Sequence, residues 1–175
     1  MNKIILLNNR PTGKPQASDF KFTDENKPEI AKGEILLKTK FVSVDPYLRG
    51  RMSDAESYVE PFKLNKPISS GCIAEVVESK NESFKKGDFV SGSLEWKEYQ
   101  VSDGNDLLKI DASIAPLSTY LGILGMTGLT AYLGLTEIGL PKKGETIVVS
   151  GAAGAVGSVV GQIGKILGCH VVGIA

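Results

Sequence analysis

Residues 144–175 read GETIVVSGAAGAVGSVVGQIGKILGCHVVGIA, and this stretch decides the fold. ETIVVS, residues 145–150, is rich in β-branched side chains and lies between Gly144 and Gly151. A strand buried on both faces of a parallel sheet has that pattern. Helical spacing follows over residues 155–168. Val156, Val159 or Val160, Ile163, Ile166 and Leu167 form an apolar stripe. Gly168 is a natural helix stop. HVVGIA, residues 170–175, is a second β-branched strand. Strand, helix, strand is a βαβ unit, whose crossover is right-handed.

The turn inside this unit carries Ala152-x-Gly154-x-x-Gly157. It departs from G-x-G-x-x-G at its first position, where alanine stands. The physics of the motif survives the change. Gly154 would let the backbone approach a pyrophosphate, and Gly157 would let the helix sit close to the strand. The free amides and positive end of the helix dipole would face the phosphates. The motif alone is weak, and its setting between a buried strand and a helix is what supports dinucleotide binding. The competing reading is that the glycines serve tight packing only.

Working outward, the first ~110 residues read as mostly β by periodicity. KIILLNN (3–9) is a short strand, and PTGKPQASDFKFTDENKP (11–28) reads as a polar, turn-rich surface connection. In GEILLKTKFVSV (33–44), Ile35, Leu37, Thr39 and Phe41 share one face and Lys38 and Lys40 the other, a half-buried antiparallel strand. SSGCIAEVVESK, KKGDFVSG and WKEYQVS are further strands, with a turn at Lys86-Gly87-Asp88. Many short strands with Gly and Asp turns imply a small barrel or sandwich. Residues 111–140 are apolar nearly throughout and read as two short helices with a break near Gly125–Gly128. A domain boundary is expected roughly between residues 115 and 130.

The 175 residues carry 20 acidic and 20 basic side chains, two cysteines and one histidine. The cancelled charge argues against a nucleic-acid or membrane-surface partner. Two cysteines make no disulfide framework and suit a reducing compartment. No segment approaches the ~20 apolar residues of a membrane span, and a cytoplasmic location is expected. Cys169 and His170 are neighbours on a strand and point to opposite faces. With Cys72 the only other thiol, no zinc ligand set is evident; ordinary packing accounts for these residues.

SVDPYLRGRM, residues 43–52, follows a strand. Asp45 suits a helix N-cap and Pro46 the first helical position. A one-turn helix is expected there, presenting Tyr47, Leu48, Arg49 and Arg51. On these residues alone, a capped surface helix is the better reading.

Three segments together resemble the medium-chain dehydrogenase/reductase superfamily. They are SSGCIAEVVESKNESFKKGDFVSG (69–92), GMTGLTAYLGL (125–135) and the terminal stretch 144–175. VDPYLRGRM further resembles the zinc-independent branch that reduces activated carbon–carbon double bonds, the branch of alkenal, prostaglandin and curcumin reductases. SDAESYVEPFKL (53–64) resembles the bacterial curcumin-reductase type. Asp45 stands where zinc alcohol dehydrogenases of the superfamily carry their first catalytic cysteine.

The resemblance implies an α+β chain. A GroES-like β-barrel catalytic domain would span residues 1–125, and the first βαβ unit of an incomplete α/β Rossmann domain residues 126–175. It implies NADPH as cofactor, with Gly154, Ala155, Val156 and Gly157 holding the pyrophosphate. Met126 and Thr130 would lie near the nicotinamide end. Tyr47 would bind the carbonyl or enolate oxygen of a small-molecule enone or enal, and Tyr58 would line the same pocket. Thr127 departs from the family's usual proline. A homodimer, with no nucleic-acid or membrane partner and no metal, is expected. Members are roughly twice this length, so the chain is expected to be an inactive or weakly active fragment that self-associates through its terminal strands. A quinone reductase of a neighbouring branch and a non-catalytic association fragment are the alternatives.

Overall fold

Asn2, the first residue of the first strand, is fully buried and fastened to Tyr99 from both sides of its amide. Its Nδ2 donates to the Tyr99 carbonyl at 2.8 Å and to Glu25 Oε1 at 3.0 Å, and its Oδ1 accepts from the Tyr99 amide at 2.7 Å. This computed structural model describes residues 1–57 and 59–175. The chain divides into two compact units, Met1–Ile114 and Ala115–Ala175.

The first unit is mainly antiparallel β. Strand β1 (Asn2–Leu7) pairs with β2 (Phe20–Glu25). Five more strands follow: β3 (Ile35–Val42), β4 (Ser69–Ser79), β5 (Phe89–Glu95), β6 (Tyr99–Ser102) and β7 (Leu108–Ile110). They form one sheet in the order β6-β3-β4-β5-β7. The two sheets are stitched by main-chain bonds, Ile5 N–H to the Trp96 carbonyl at 3.0 Å and Ile68 N–H to the Ile5 carbonyl at 3.2 Å. Trp96 donates its indole N–H to buried Ser70 Oγ at 2.8 Å, so the polar end of this large side chain is satisfied.

Two apolar clusters fill the unit. One gathers Ile35, Leu37, Cys72, Val76, Val90 and Leu94 along the sheet. The other gathers Leu7, Phe62 and Ile68 around the short helix α1 (Tyr47–Arg51), through its Leu48 and the following Met52. β2 overturns the expectation of a mere connection over residues 11–28. Its Phe-Lys-Phe alternation is real, but Phe22 is largely exposed, so the strand lacks a clear buried face. In β3 the simple alternation also fails. Leu36 is buried with Ile35 and Leu37, and Phe41 is 43% exposed. The register of β3 on β4 shifts between Leu36 and Leu37 and again between Thr39 and Phe41. Each irregularity re-aims the side chains beyond it.

The second unit begins with a 3₁₀ turn (Leu117–Leu121) and helix α2 (Met126–Leu133). The helix starts directly after Gly125 and runs through Gly128, so the break lies before Met126. α2 continues into a π-helical turn, Gly134–Gly139, stopped by Leu140 in the left-handed region (φ 46°). Strand β8 (Thr146–Ser150), helix α3 (Gly157–Ile166) and strand β9 (His170–Ile174) complete the unit. β8 and β9 pair in parallel, as the sequence pattern predicts. Gly168, at φ 79°, ends the helix.

The predicted stripe of α3 holds for its first part, with Val159 buried and Val156, Val160 and Ile163 half-buried, and fails at its end. The buried residues of the helix are Gly157, Val159 and Gly164, whereas Ile166 is 83% exposed and Leu167 is exposed too. A β-carbon on Gly164 would collide with Ile147 Cδ1 and meet Val171 Cγ2 at 3.2 Å. The helix thus approaches β8 and β9 closely at Gly164, while Ile166 and Leu167, off that line, are left outside.

Candidate functional site

The β8–α3 turn is built by close backbone approach. Gly154 N–H donates to the Gly151 carbonyl at 2.9 Å, and Ala152 N–H to the Ile174 carbonyl at 3.0 Å. A β-carbon on Gly154 would stand 3.0 Å from the Gly151 oxygen, and one on Gly157 would collide with it. The first amides of a helix have no intrahelical acceptor. Those of Ser158, Val159 and Val160 are taken by Gly154 and Val156 carbonyls at 3.0 Å. Those of Ala155, Val156 and Gly157 meet no backbone carbonyl among the described residues. Three adjacent donors at the positive end of a helix suit a phosphate anion. The Gly154 amide is already committed, so that residue serves the turn's shape rather than donating. A cleft of about 320 Å³ begins at Ala152, Gly157 and Ser158 and runs along α3 to Gln162 and Lys165.

Met126 and Thr130 lie one turn apart on α2, both exposed, and Thr130 Oγ1 donates to the Met126 carbonyl at 2.7 Å. Thr127 Oγ1 donates to the Gly122 carbonyl at 2.9 Å, tying the bend that precedes α2. α2 and α3 share an apolar groove lined by Leu129, Tyr132, Val159 and Ile163. The structure therefore brings the phosphate-side and nicotinamide-side candidates into one unit.

Tyr47 belongs to the first unit. It is the first residue of α1 (Tyr47–Arg51) and is 38% exposed. Pro46 already has helical angles (φ −55°, ψ −34°), and Asp45 contributes its main-chain carbonyl to the Leu48 amide at 3.1 Å. The N-cap position is taken by Pro46, and among the described residues no side-chain cap bond closes this helix start, so the predicted capping role of the Asp45 side chain is not seen. Leu48 is not presented to solvent either. It is buried with Leu7, Met52, Phe62 and Ile68, because a single turn must bury one side to stay folded. Arg49 and Arg51 turn back onto backbone carbonyls of neighbouring loops. The sequence carries no local signal for those bonds. Tyr58 lies outside the described residues.

Both cysteines are buried. Burial pushes the Cys72 thiol up to about 11, against the weaker opposing pull of its contacts with Ser70 and the Leu94 carbonyl. Cys169 is buried and donates to the Lys142 carbonyl at 3.4 Å.

An antiparallel β unit and a strand–glycine turn–helix–strand unit are the parts of the first half of a medium-chain reductase. Residues 3–110 match the family described as the N-terminal domain of oxidoreductase, and the chain belongs to that family. A Bacillus subtilis (strain 168) protein, provisionally named an NADP-dependent oxidoreductase, is 61% identical over 171 residues, covering 98% of this chain and 50% of that protein. The NADPH-dependent curcumin reductase of Escherichia coli (strain K12) is 44% identical over 174 residues, covering 99% of this chain and 50% of its own length. The crystal structure of CurA from Vibrio vulnificus in complex with NADPH superposes with a TM-score of 0.90 at 45% identity, covering 99% of this chain and 51% of that one. The chain spans about half the length of the curated relatives it matches. Among the described residues, no helix is long and apolar enough to cross a membrane.

Proposed function

We propose that the protein represented by this chain reduces the carbon–carbon double bond of α,β-unsaturated carbonyl compounds with NADPH. The observation that carries the reading is the β8–α3 turn, with its colliding glycine and three adjacent amides, on a chain whose relatives include an NADPH-dependent curcumin reductase and a 2-alkenal reductase. On this reading residues 1–125 form the catalytic domain and residues 126–175 begin the nucleotide-binding domain. The same reading takes the protein to be a cytoplasmic homodimer.

When bound, the dihydronicotinamide supplies a hydride to the β-carbon of the substrate. Ala155, Val156 and Gly157 hold the pyrophosphate with their amides, and Gly154 gives the turn its shape. Met126 and Thr130 border the nicotinamide end. The Tyr47 hydroxyl would donate to the substrate carbonyl oxygen, where negative charge develops, a preorganised donor of this kind lowering the barrier by about 3 kcal/mol, and the α-carbon would take its proton from solvent or a positioned acid. Tyr58 lines the substrate pocket. Asp45, in place of a cysteine ligand, fits a reaction in which a hydrogen bond rather than zinc polarises the carbonyl.

The test is NADPH titration followed by side-by-side assay of a 2-alkenal and a quinone. Binding, with preference for the alkenal in a longer form carrying the second half, is the expected result. Preference for the quinone replaces this reading with the quinone reductase. Failure of any form to bind NADPH removes the enzymatic reading altogether.

A further inference from the structure

Helix α1 has five residues and no side-chain cap, yet on the proposed reading it must hold a hydrogen-bond donor in place. A single turn has almost no stability of its own. Leu48 and Met52 anchor one side of it in the core. That leaves the helix free to rock about this anchor unless its other side is also tied.

Three arginines tie it. Arg49 reaches back to the loop after β1, donating from Nε to the Gly13 carbonyl at 2.9 Å and from Nη2 to the Pro11 carbonyl at 2.9 Å. Arg51 reaches forward, donating from Nε to the Glu60 carbonyl at 3.2 Å, with its guanidinium 4.0 Å from the centre of the Phe62 ring. The Phe62 amide returns a bond to the Arg51 carbonyl at 2.7 Å. Arg10, from the same early loop, donates to the Met52 carbonyl at the end of the helix at 3.0 Å. The helix is therefore held between two loops by charge-assisted bonds on opposite flanks, each aimed at a main-chain carbonyl.

We propose that Arg49 and Arg51 are positioning residues that fix the direction of Tyr47. This rests on the proposed reading only in treating Tyr47 as the residue that meets the substrate oxygen. The fork of Arg49 spans two carbonyls at once, which a lysine ammonium cannot reproduce from one flexible stem although it keeps the charge. The substitution Arg49→Lys thus separates geometry from charge. Misplacing a donor by about 1 Å is enough to lower a rate by on the order of 100-fold.

The experiment uses the 175-residue chain labelled with 3-fluorotyrosine, with the Tyr47 fluorine line assigned by its loss in Tyr47→Phe. In Arg49→Lys and Arg51→Lys the Tyr47 line is expected to shift and broaden while those of Tyr99 and Tyr132 stay in place and the thermal midpoint is kept. A Tyr47 line that does not move in either variant overturns the proposal. So does equal movement of all lines, which marks a general structural effect. Should Arg49→Lys fail to fold, Arg51→Lys decides alone. The readout needs no turnover: a failed NADPH titration removes the reductase reading and leaves the fluorine result standing, and an unmoved line leaves the reductase reading intact.

Discussion

A β-carbon on Gly157 would be driven into the carbonyl group of Gly151, 2.9 Å from its carbon and 3.0 Å from Ala152 Cα. The start of α3 thus touches the turn that precedes it, backbone on backbone, with room for hydrogen only.

Gly157→Ala is expected to destabilise the second unit by about 1–3 kcal/mol, the range for overpacking against groups that cannot give way. Gly161→Ala is expected to do the opposite. Its β-carbon would meet Val171 Cγ1 at 3.6 Å, an ordinary contact. Alanine there gains up to about 1 kcal/mol of helix propensity. Urea unfolding followed by circular dichroism compares the two. Equal effects would show that the Gly157 contact is not what shapes the turn. NADPH titration of the same pair checks the proposed phosphate site, with weakened binding expected only for Gly157→Ala.

Leu48→Ala removes the apolar anchor of α1. The loss expected for a fully packed leucine is about 2–5 kcal/mol, read as a lower urea midpoint in the fluorescence of Trp96, the only tryptophan. A loss under about 1 kcal/mol is the range of surface substitutions and contradicts the burial described for this residue.

Asn2→Ala strands the Tyr99 amide and carbonyl, both of which bond to the Asn2 side chain. Leaving buried polar groups unpaired costs about 1–3 kcal/mol. Asn2→Asp, although nearly the same shape, is expected to be worse, because a carboxylate oxygen would then face the Tyr99 carbonyl and Glu25. A milder effect for Asp than for Ala in thermal unfolding would refute the assigned amide orientation.

Cys72 sets a limit on alkaline stability. Its ordinary value of 9.0 is raised to about 11 in the folded chain. Below pH 9 the thiol is protonated folded or unfolded, and its contribution is fully present. As pH rises from 9 towards 11, the unfolded chain loses the proton first, and stability falls. The total is on the order of 2–3 kcal/mol. Comparing the pH dependence of unfolding in the native chain and Cys72→Ala isolates it. An unchanged slope in the variant would assign the loss to other groups.

The β8–α3–β9 unit is legible in the sequence because its signals are local. β-branched runs, a glycine turn and the Gly168 stop each act within a few residues. β2 is not, since of Phe20 and Phe22, two positions apart, only Phe20 packs against the core and Phe22 is left exposed, so no buried face marks the strand. The burial of Leu36 is set by register shifts against β4, residues 72–79, far away in the chain. The exposure of Ile166 follows from the close approach of α3 at Gly164, set by the surfaces of β8 and β9. At the candidate site, the glycine turn and Tyr47 are recognisable as residues. The arginine ties of α1 are not, because their acceptors are carbonyls, which no side-chain pattern marks.

The Asn2–Tyr99 clamp spans 97 positions of sequence. During synthesis β1 emerges well before β6 and cannot reach Tyr99 until β6 has left the ribosome. Closing so long a loop is slow, since its entropy must be lost before the contact repays it. Before residues 65–68 emerge to bond Ile5 and Leu7, β1 has only β2 to pair with, a two-stranded ribbon that is marginal in water. The outer edge of β1 thus settles late, and the nascent chain carries it open until partners far along the sequence have been made.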